Sequence, residues 1–369
     1  MKRMRYRLTA ISLIVVLVAA LVNVKASAAY VGDKEITSKG ACVLDFDTGV
    51  MLFGYEEETQ RVPASMTKVL TAYVIYDAIK AGEIKLDTAV KISTAVSDFS
   101  YNREYSNVPL PRDISVSINS LLDVVLVNSA CAAAVALGEG LCGSEEAFAV
   151  RMNKKVAQLG IDAVFYDAFG GSPDNRISPR GMAELSRSLI IEHPEVLKKT
   201  QQKTVTFRGV EYKNTNPLLD QYEGLDGLKT GYTDPAMYCF TATAERDGRR
   251  LVSVTMGSAS GTARGTDSRV LLDYGFAVAD SLIASFTGGG GAEEGAGSSL
   301  PGGSDVSEGD SAQLQIYYME YLRRLTMHCI AYLESEQDRP ADLRLLSAFV
   351  ISVMTQYCVE TAGEMERAS

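Results

Sequence analysis

Histidine is almost missing from this chain: His193 and His328 are the two that occur in 369 residues. A mechanism built on a histidine base or on a multi-histidine metal site therefore has few candidates. His193 precedes Pro194 and reads as the end of a helix, in a capping or surface role. His328 stands far from any motif. If the protein is a hydrolase, its base is expected to be another residue type. Positive charge is also short: Lys and Arg number 36 against 46 Asp and Glu, a formal net charge of −10, and no basic stripe runs along the chain. That excludes a nucleic-acid partner. Cysteine is sparse as well. The six thiols, Cys42, Cys131, Cys142, Cys239, Cys329 and Cys358, do not make a disulfide framework in so long a chain. Cys131 and Cys142, if they share one helix, stand about 16 Å apart at ~1.5 Å per residue, too far to bridge. Buried free thiols are the expectation, with Cys329 and Cys358 the one pairing to check.

With 46% hydrophobic residues, the chain can bury a large core, as one large domain or two smaller ones. Lys2, Arg3, Arg5 and Arg7 precede an uncharged, mostly apolar run at 8–24, and Ala26-Ser27-Ala28 supplies a small-x-small cleavage pattern. Residues 1–28 thus read as an export signal, with an uncleaved anchor as the alternative. Either way the bulk of the chain is expected outside the cytoplasmic membrane, in the cell envelope or secreted.

Residues 40–46 and 50–55 are two apolar runs around Asp47-Thr48-Gly49, a hairpin pattern. After Pro63 the apolar residues Met66, Val69, Leu70, Tyr73 and Val74 recur at helical spacing, which predicts a helix from Ala64 onward. Further helices are expected at 117–127, 130–141, 145–158 and 179–191, with a loop at 169–175 and a break at Asn128-Ser129. Strands return after residue 204: 238–244 and 250–256 flank Asp247-Gly248, and 227–231 is a candidate neighbour. A last helix is expected at 268–279. The order predicts an antiparallel sheet built from both ends of a domain spanning 29–285 and covered by helices. Residues 286–311 are Gly, Ser, Ala and acid, a solvated linker. Residues 312–369 read as a two-helix segment able to contact a membrane surface or a protein.

Three motifs carry chemistry. Ser65-Met66-Thr67-Lys68 sets a hydroxyl and an amine three positions apart, on one face of a helix. Serine is a poor nucleophile without a base, and an amine in an apolar setting can serve if it is held uncharged. By itself the pattern is unspecific, because serine is a favoured helix start. Lys229-Thr230-Gly231 adds a cation, a hydroxyl and a residue without a side chain on one strand, suited to a substrate carboxylate with its backbone alongside. Between them lies Asn128-Ser129-Ala130-Cys131.

Taken in order, P-A-S-M-T-K, N-S-A-C-A-A-A-V-A-L and G-L-D-G-L-K-T-G-Y-T-D resemble the serine D-Ala-D-Ala carboxypeptidases, the low-molecular-weight penicillin-binding proteins. The likeness runs from about residue 41 to 276. It implies an α/β fold of the α+β type, a five-stranded antiparallel sheet flanked by helices with a helical subdomain. It implies Ser65 as acylated nucleophile, Lys68 as its base, and Ser129 as relay to the leaving amine. Lys229 and Thr230 would hold a terminal carboxylate, the backbone N–H groups of Ser65 and Tyr232 would form the oxyanion hole, and Arg264 would be a further carboxylate ligand. The implied partners are a peptidoglycan stem peptide ending in D-Ala-D-Ala and β-lactams as covalent inhibitors, with neither cofactor nor metal.

The chain departs from the family at Cys131, where asparagine is usual. A thiol is a weak donor and acceptor, and losing one amide hydrogen bond costs about 1–3 kcal/mol. Many relatives append a β-rich domain and a terminal amphipathic anchor, and neither pattern is read in the sequence after Ser285, where a linker and two helices are expected. Two competing readings stay open here. One is a non-catalytic wall-binding or penicillin-sensing module. The other is a β-lactamase, which would need a second carboxylate; Glu195 is the nearest candidate and reads as a surface residue.

Overall fold

The computed structural model describes residues 30–32 and 34–287, the side chains of 30 and 280–287 excepted. The expected export signal, most of the linker, the two C-terminal helices and the Cys329–Cys358 pairing lie outside the described residues. Five strands form one antiparallel sheet in the order β3-β4-β5-β1-β2. The early part of the chain supplies β1 (Gly40–Asp45) and β2 (Met51–Tyr55). The later part supplies β3 (Leu225–Thr233), β4 (Met237–Arg246) and β5 (Arg249–Ser258). Asp247 and Gly248, at φ 50° and 75°, turn β4 into β5 with both central residues left-handed, the conformation whose twist matches a two-residue hairpin.

Between β2 and β3 lies the helical part: α1 (Thr67–Lys80), α2 (Ile118–Val127), α3 (Cys131–Cys142), α4 (Glu145–Gln158) and α5 (Pro179–Glu192). A final α6 (Gly261–Thr287) follows the sheet. Register decides what covers each face. Cys42, Val254 and Thr241 form one cross-strand row, and Thr241 shares a 3.1 Å hydroxyl contact with Ser186 of α5. The next row, Val43, Ser253 and Ala242, faces the opposite way, where a methyl added at Gly275 of α6 would lie 3.0 Å from Val43. The sheet is thus sandwiched, with the helical half stacked beyond α5. At its centre every residue of α1 from 67 to 76 is buried, the polar Thr67, Lys68 and Thr71 included.

Three expectations need correction. The helix predicted from Ala64 begins instead as a 3-10 turn, Ala64–Met66, before α1 takes over at Thr67. Ala64 sits at φ 48°, outside the α region, so the α-helix cannot start there. The last helix starts at Gly261, well before the predicted 268, because Ser260 caps it: its hydroxyl accepts from Ala263 N at 3.0 Å, a signal invisible to apolar periodicity. His193 does stand at the C-terminus of α5, yet it is 2% exposed rather than at the surface. Its ring stacks on Tyr76 at 5.6 Å and its Nε2 meets Asp77 at 2.8 Å, so the aromatic residues of α1 make the burial favourable.

Candidate active site

Ser65 stands on the 3-10 turn, half-buried, and caps nothing: neither that turn nor α1 has a side-chain cap. Its hydroxyl is instead 2.8 Å from Nζ of Lys68, which is fully buried. The same Nζ donates to the Phe169 carbonyl at 2.7 Å and to Cys131 Sγ at 3.3 Å. A carbonyl can only accept, so one N–H is committed to Phe169 in either protonation state. When the amine is neutral, donation to Phe169 and Cys131 leaves its lone pair for the Ser65 hydroxyl.

Ser129 and Cys131 sit at the α2–α3 junction. Ser129 is buried with φ 67°, a conformation uncommon for a residue with a side chain, and it turns the chain so that α3 starts two residues later. Ser106 and Asn107 hold this turn: Cys131 N donates to the Ser106 carbonyl at 2.8 Å and Ala132 N to Asn107 Oδ1 at 2.8 Å. The thiol at 131 thus retains one property expected of an amide there, acceptance from the lysine.

The opposite wall is β3. A methyl on Gly231 would lie 2.8 Å from the Pro63 carbonyl and 3.0 Å from Ser65 N, so the strand and the Ser65 backbone touch because residue 231 has no side chain. Lys229 is 1% exposed and donates to the Thr230 carbonyl at 2.9 Å. Burial first, then the charges of Lys68 and Arg264, push its pKa well below the ordinary lysine value. Arg264, on the first turns of α6, donates to the Gly231 carbonyl at 3.0 Å, and burial lowers its pKa. Tyr232 turns its side chain outward, its hydroxyl 2.8 Å from Asp234. A cleft of about 520 Å³ collects Ser65, Ser129, Cys131, Thr230, Gly231, Tyr232 and Arg264 on its walls. Lys68 and Lys229 lie behind this lining.

Sequence reasoning missed several contributors. Phe169 and Gly170 line the cleft, and Gly170 packs so closely that a methyl there would fall 1.8 Å from the Ala64 carbonyl. The buried Asp167 carboxylate ties this loop by accepting from the backbone N–H groups of Phe169, Gly170 and Ser172 and from Asn175 Nδ2. The F-G-G-S run signalled a loop, but a carbonyl serving a lysine has no sequence signature. Thr215 is a further lining residue, its hydroxyl 2.7 Å from that of Thr230. Glu195 is exposed beside His193 and outside the cleft, so it offers no base for a β-lactamase reading. Among the described residues, Asp77, Glu192 and His193 are the trio whose ligand atoms fall within 4.8 Å of one another. Lys155 Nζ already sits 2.9 Å from Asp77 and 3.3 Å from Glu192, so both carboxylates a metal would need are already engaged by one ammonium.

The D-alanyl-D-alanine carboxypeptidase family profile matches residues 24–260. The D-alanyl-D-alanine carboxypeptidase DacA of Haemophilus influenzae is 33% identical over 247 residues, covering 66% of this chain and 63% of that protein. The chain spans 62% to 63% of the length of the first curated relatives it matches. Among solved structures, penicillin-binding protein 5 of H. influenzae superimposes with a TM-score of 0.64 at 33% identity, over 67% of this chain and 72% of that one. Penicillin-binding protein D2 of Listeria monocytogenes, solved in an ampicillin-bound form, matches with a TM-score of 0.60 at 31% identity, over 66% of this chain and 99% of that one. The five-stranded sheet and its helices are the fold of these neighbours.

Proposed function

The chain belongs to the D-alanyl-D-alanine carboxypeptidase family, and from that premise we propose that it removes the terminal D-alanine from peptidoglycan stem peptides through an acyl-enzyme on Ser65. Lys68, as a neutral amine, takes the hydroxyl proton as Ser65 Oγ attacks the carbonyl of the penultimate D-alanine. The backbone N–H groups of Ser65 and Tyr232 stabilise the oxyanion. Ser129 passes the proton to the departing amine, D-alanine leaves, and water then hydrolyses the ester. Thr230 and Arg264 hold the terminal carboxylate, while Lys229 adds positive potential from behind the strand when protonated. A β-lactam with its own carboxylate enters the same cleft and acylates Ser65.

The observation that carries this reading is the 2.8 Å contact between Ser65 Oγ and a lysine buried on every side. An ordinary surface lysine one turn after a serine does not make it. In this reading 29–285 is the catalytic domain, working outside the cytoplasmic membrane after export by 1–28. Purified protein is expected to release D-alanine from an N-acylated peptide ending in D-Ala-D-Ala and to take up labelled penicillin on Ser65. Ser65→Ala should do neither. A wild-type protein that binds penicillin covalently but frees no D-alanine would reduce it to a penicillin-sensing module.

A further inference from the structure

An irregular segment opposite β3 is held far more firmly than a connecting loop requires. In Asn214-Thr215-Asn216, the Asn214 amide donates to the carbonyls of Thr200 at 3.0 Å and Gln202 at 2.8 Å. Asn216 donates to the Gly227 carbonyl of β3 at 3.2 Å, and its Oδ1 accepts from Leu218 N at 2.9 Å. Between them Thr215 N donates to the Val127 carbonyl, the last residue of α2, at 3.1 Å. The helical half therefore holds the Thr215 backbone directly, and the sheet holds it through the neighbouring Asn216 side chain. The result is a half-buried hydroxyl that lines the cleft 2.7 Å from the hydroxyl of Thr230.

Two hydroxyls at that distance share one proton between them, and the other points elsewhere. If Thr215 donates, the Thr230 proton is free to face the cleft. A carboxylate arriving there selects that arrangement, because only then does it meet a donor, and the chain Thr215 O–H to Thr230 O–H to carboxylate strengthens both bonds. The cations nearby are partly engaged: Lys229 on the Thr230 carbonyl, Arg264 on that of Gly231.

The geometry points to Thr215 as a positioning residue that sets the Thr230 hydroxyl as a donor to the substrate's terminal carboxylate. This rests on the reading of the cleft as a D-alanyl-D-alanine site and adds to it a specificity determinant for free acids over esters. It predicts selective damage from removing one hydroxyl.

The test compares wild type, Thr215→Val and Thr215→Ser in the full protein, measuring acylation of Ser65 by a penicillin and by its methyl ester. Thr215→Val should slow acylation by the acid about fivefold, in line with the loss of one neutral hydrogen bond, and acylation by the ester less than about twofold. Thr215→Ser should restore most of the loss. Equal slowing of acid and ester, no slowing of either, or failure of serine to rescue overturns the assignment; melting temperatures identify a variant that has merely unfolded. Should wild type take up no penicillin and release no D-alanine, the functional reading falls first and this inference with it. An active wild type with an indifferent Thr215→Val removes the inference alone.

Discussion

Replacing Gly231 with alanine would drive a methyl group against backbone at two points, 2.8 Å from the Pro63 carbonyl and 3.0 Å from Ser65 N. Neither is the end of a flexible side chain, so the 3-10 turn and β3 must part to reach ordinary contact, by roughly half an ångström. Gly231 is not among the left-handed glycines, so the effect is steric rather than conformational. Overpacking of this kind costs about 1–3 kcal/mol of stability. The larger consequence falls on chemistry, since Ser65 and Thr230 would no longer be spaced for one substrate. A displacement of about 1 Å can cost ~100-fold, so half of that should slow acylation about tenfold. The assay is the rate of labelled penicillin uptake on Ser65 alongside the melting temperature. Gly261→Ala is the control, because its methyl would meet only the Tyr238 ring at an ordinary 3.4 Å. Wild-type acylation by Gly231→Ala, or an equal loss in Gly261→Ala, would refute the steric argument.

Asp167→Asn leaves an amide where a carboxylate accepts from several N–H groups; it should lower stability by about 2–4 kcal/mol and slow acylation by freeing the Phe169 carbonyl that anchors Lys68, read by urea unfolding and penicillin uptake. Cys131→Ala removes one acceptor from Lys68 and should slow acylation about fivefold, with Cys131→Ser milder; an unchanged rate would show the thiol to be a spectator. Lys229 has a folded-state pKa depressed below the unfolded value of ~10.4. Between those two values the unfolded chain binds more protons than the folded one, so stability contributed at this site rises with pH. Urea titrations from neutral pH toward pH 10 should therefore show wild type gaining on Lys229→Met, and parallel curves would contradict the assignment.

Much of this was legible because local signals agreed with the fold. Asp247-Gly248 made its hairpin, and Glu145–Gln158 formed as the spacing of Phe148, Met152 and Val156 requires. The serine–lysine pair met at hydrogen-bond distance because a turn and a helix start share one face. The unread parts depended on partners distant in sequence. His193 became buried because Tyr73 and Tyr76 came to it from another helix. The Lys68 anchor is a main-chain oxygen at Phe169, which any residue type would supply. Thr215 carries no motif in the sequence, and its place in the cleft depends on α2 and β3 closing on either side.

The central sheet pairs β5 with β1, while residues 56–224 come between β2 and β3 in the chain. Ser65 is made early and Thr230 late, and nothing local brings them together. Such distant pairing is slow to form. A chain folded only as far as residue 224 holds Ser65 without the strand that closes the other side of the cleft, and the site is assembled only when β3, β4 and β5 join β1. Assembly of the cleft and closure of the sheet are thereby one folding event.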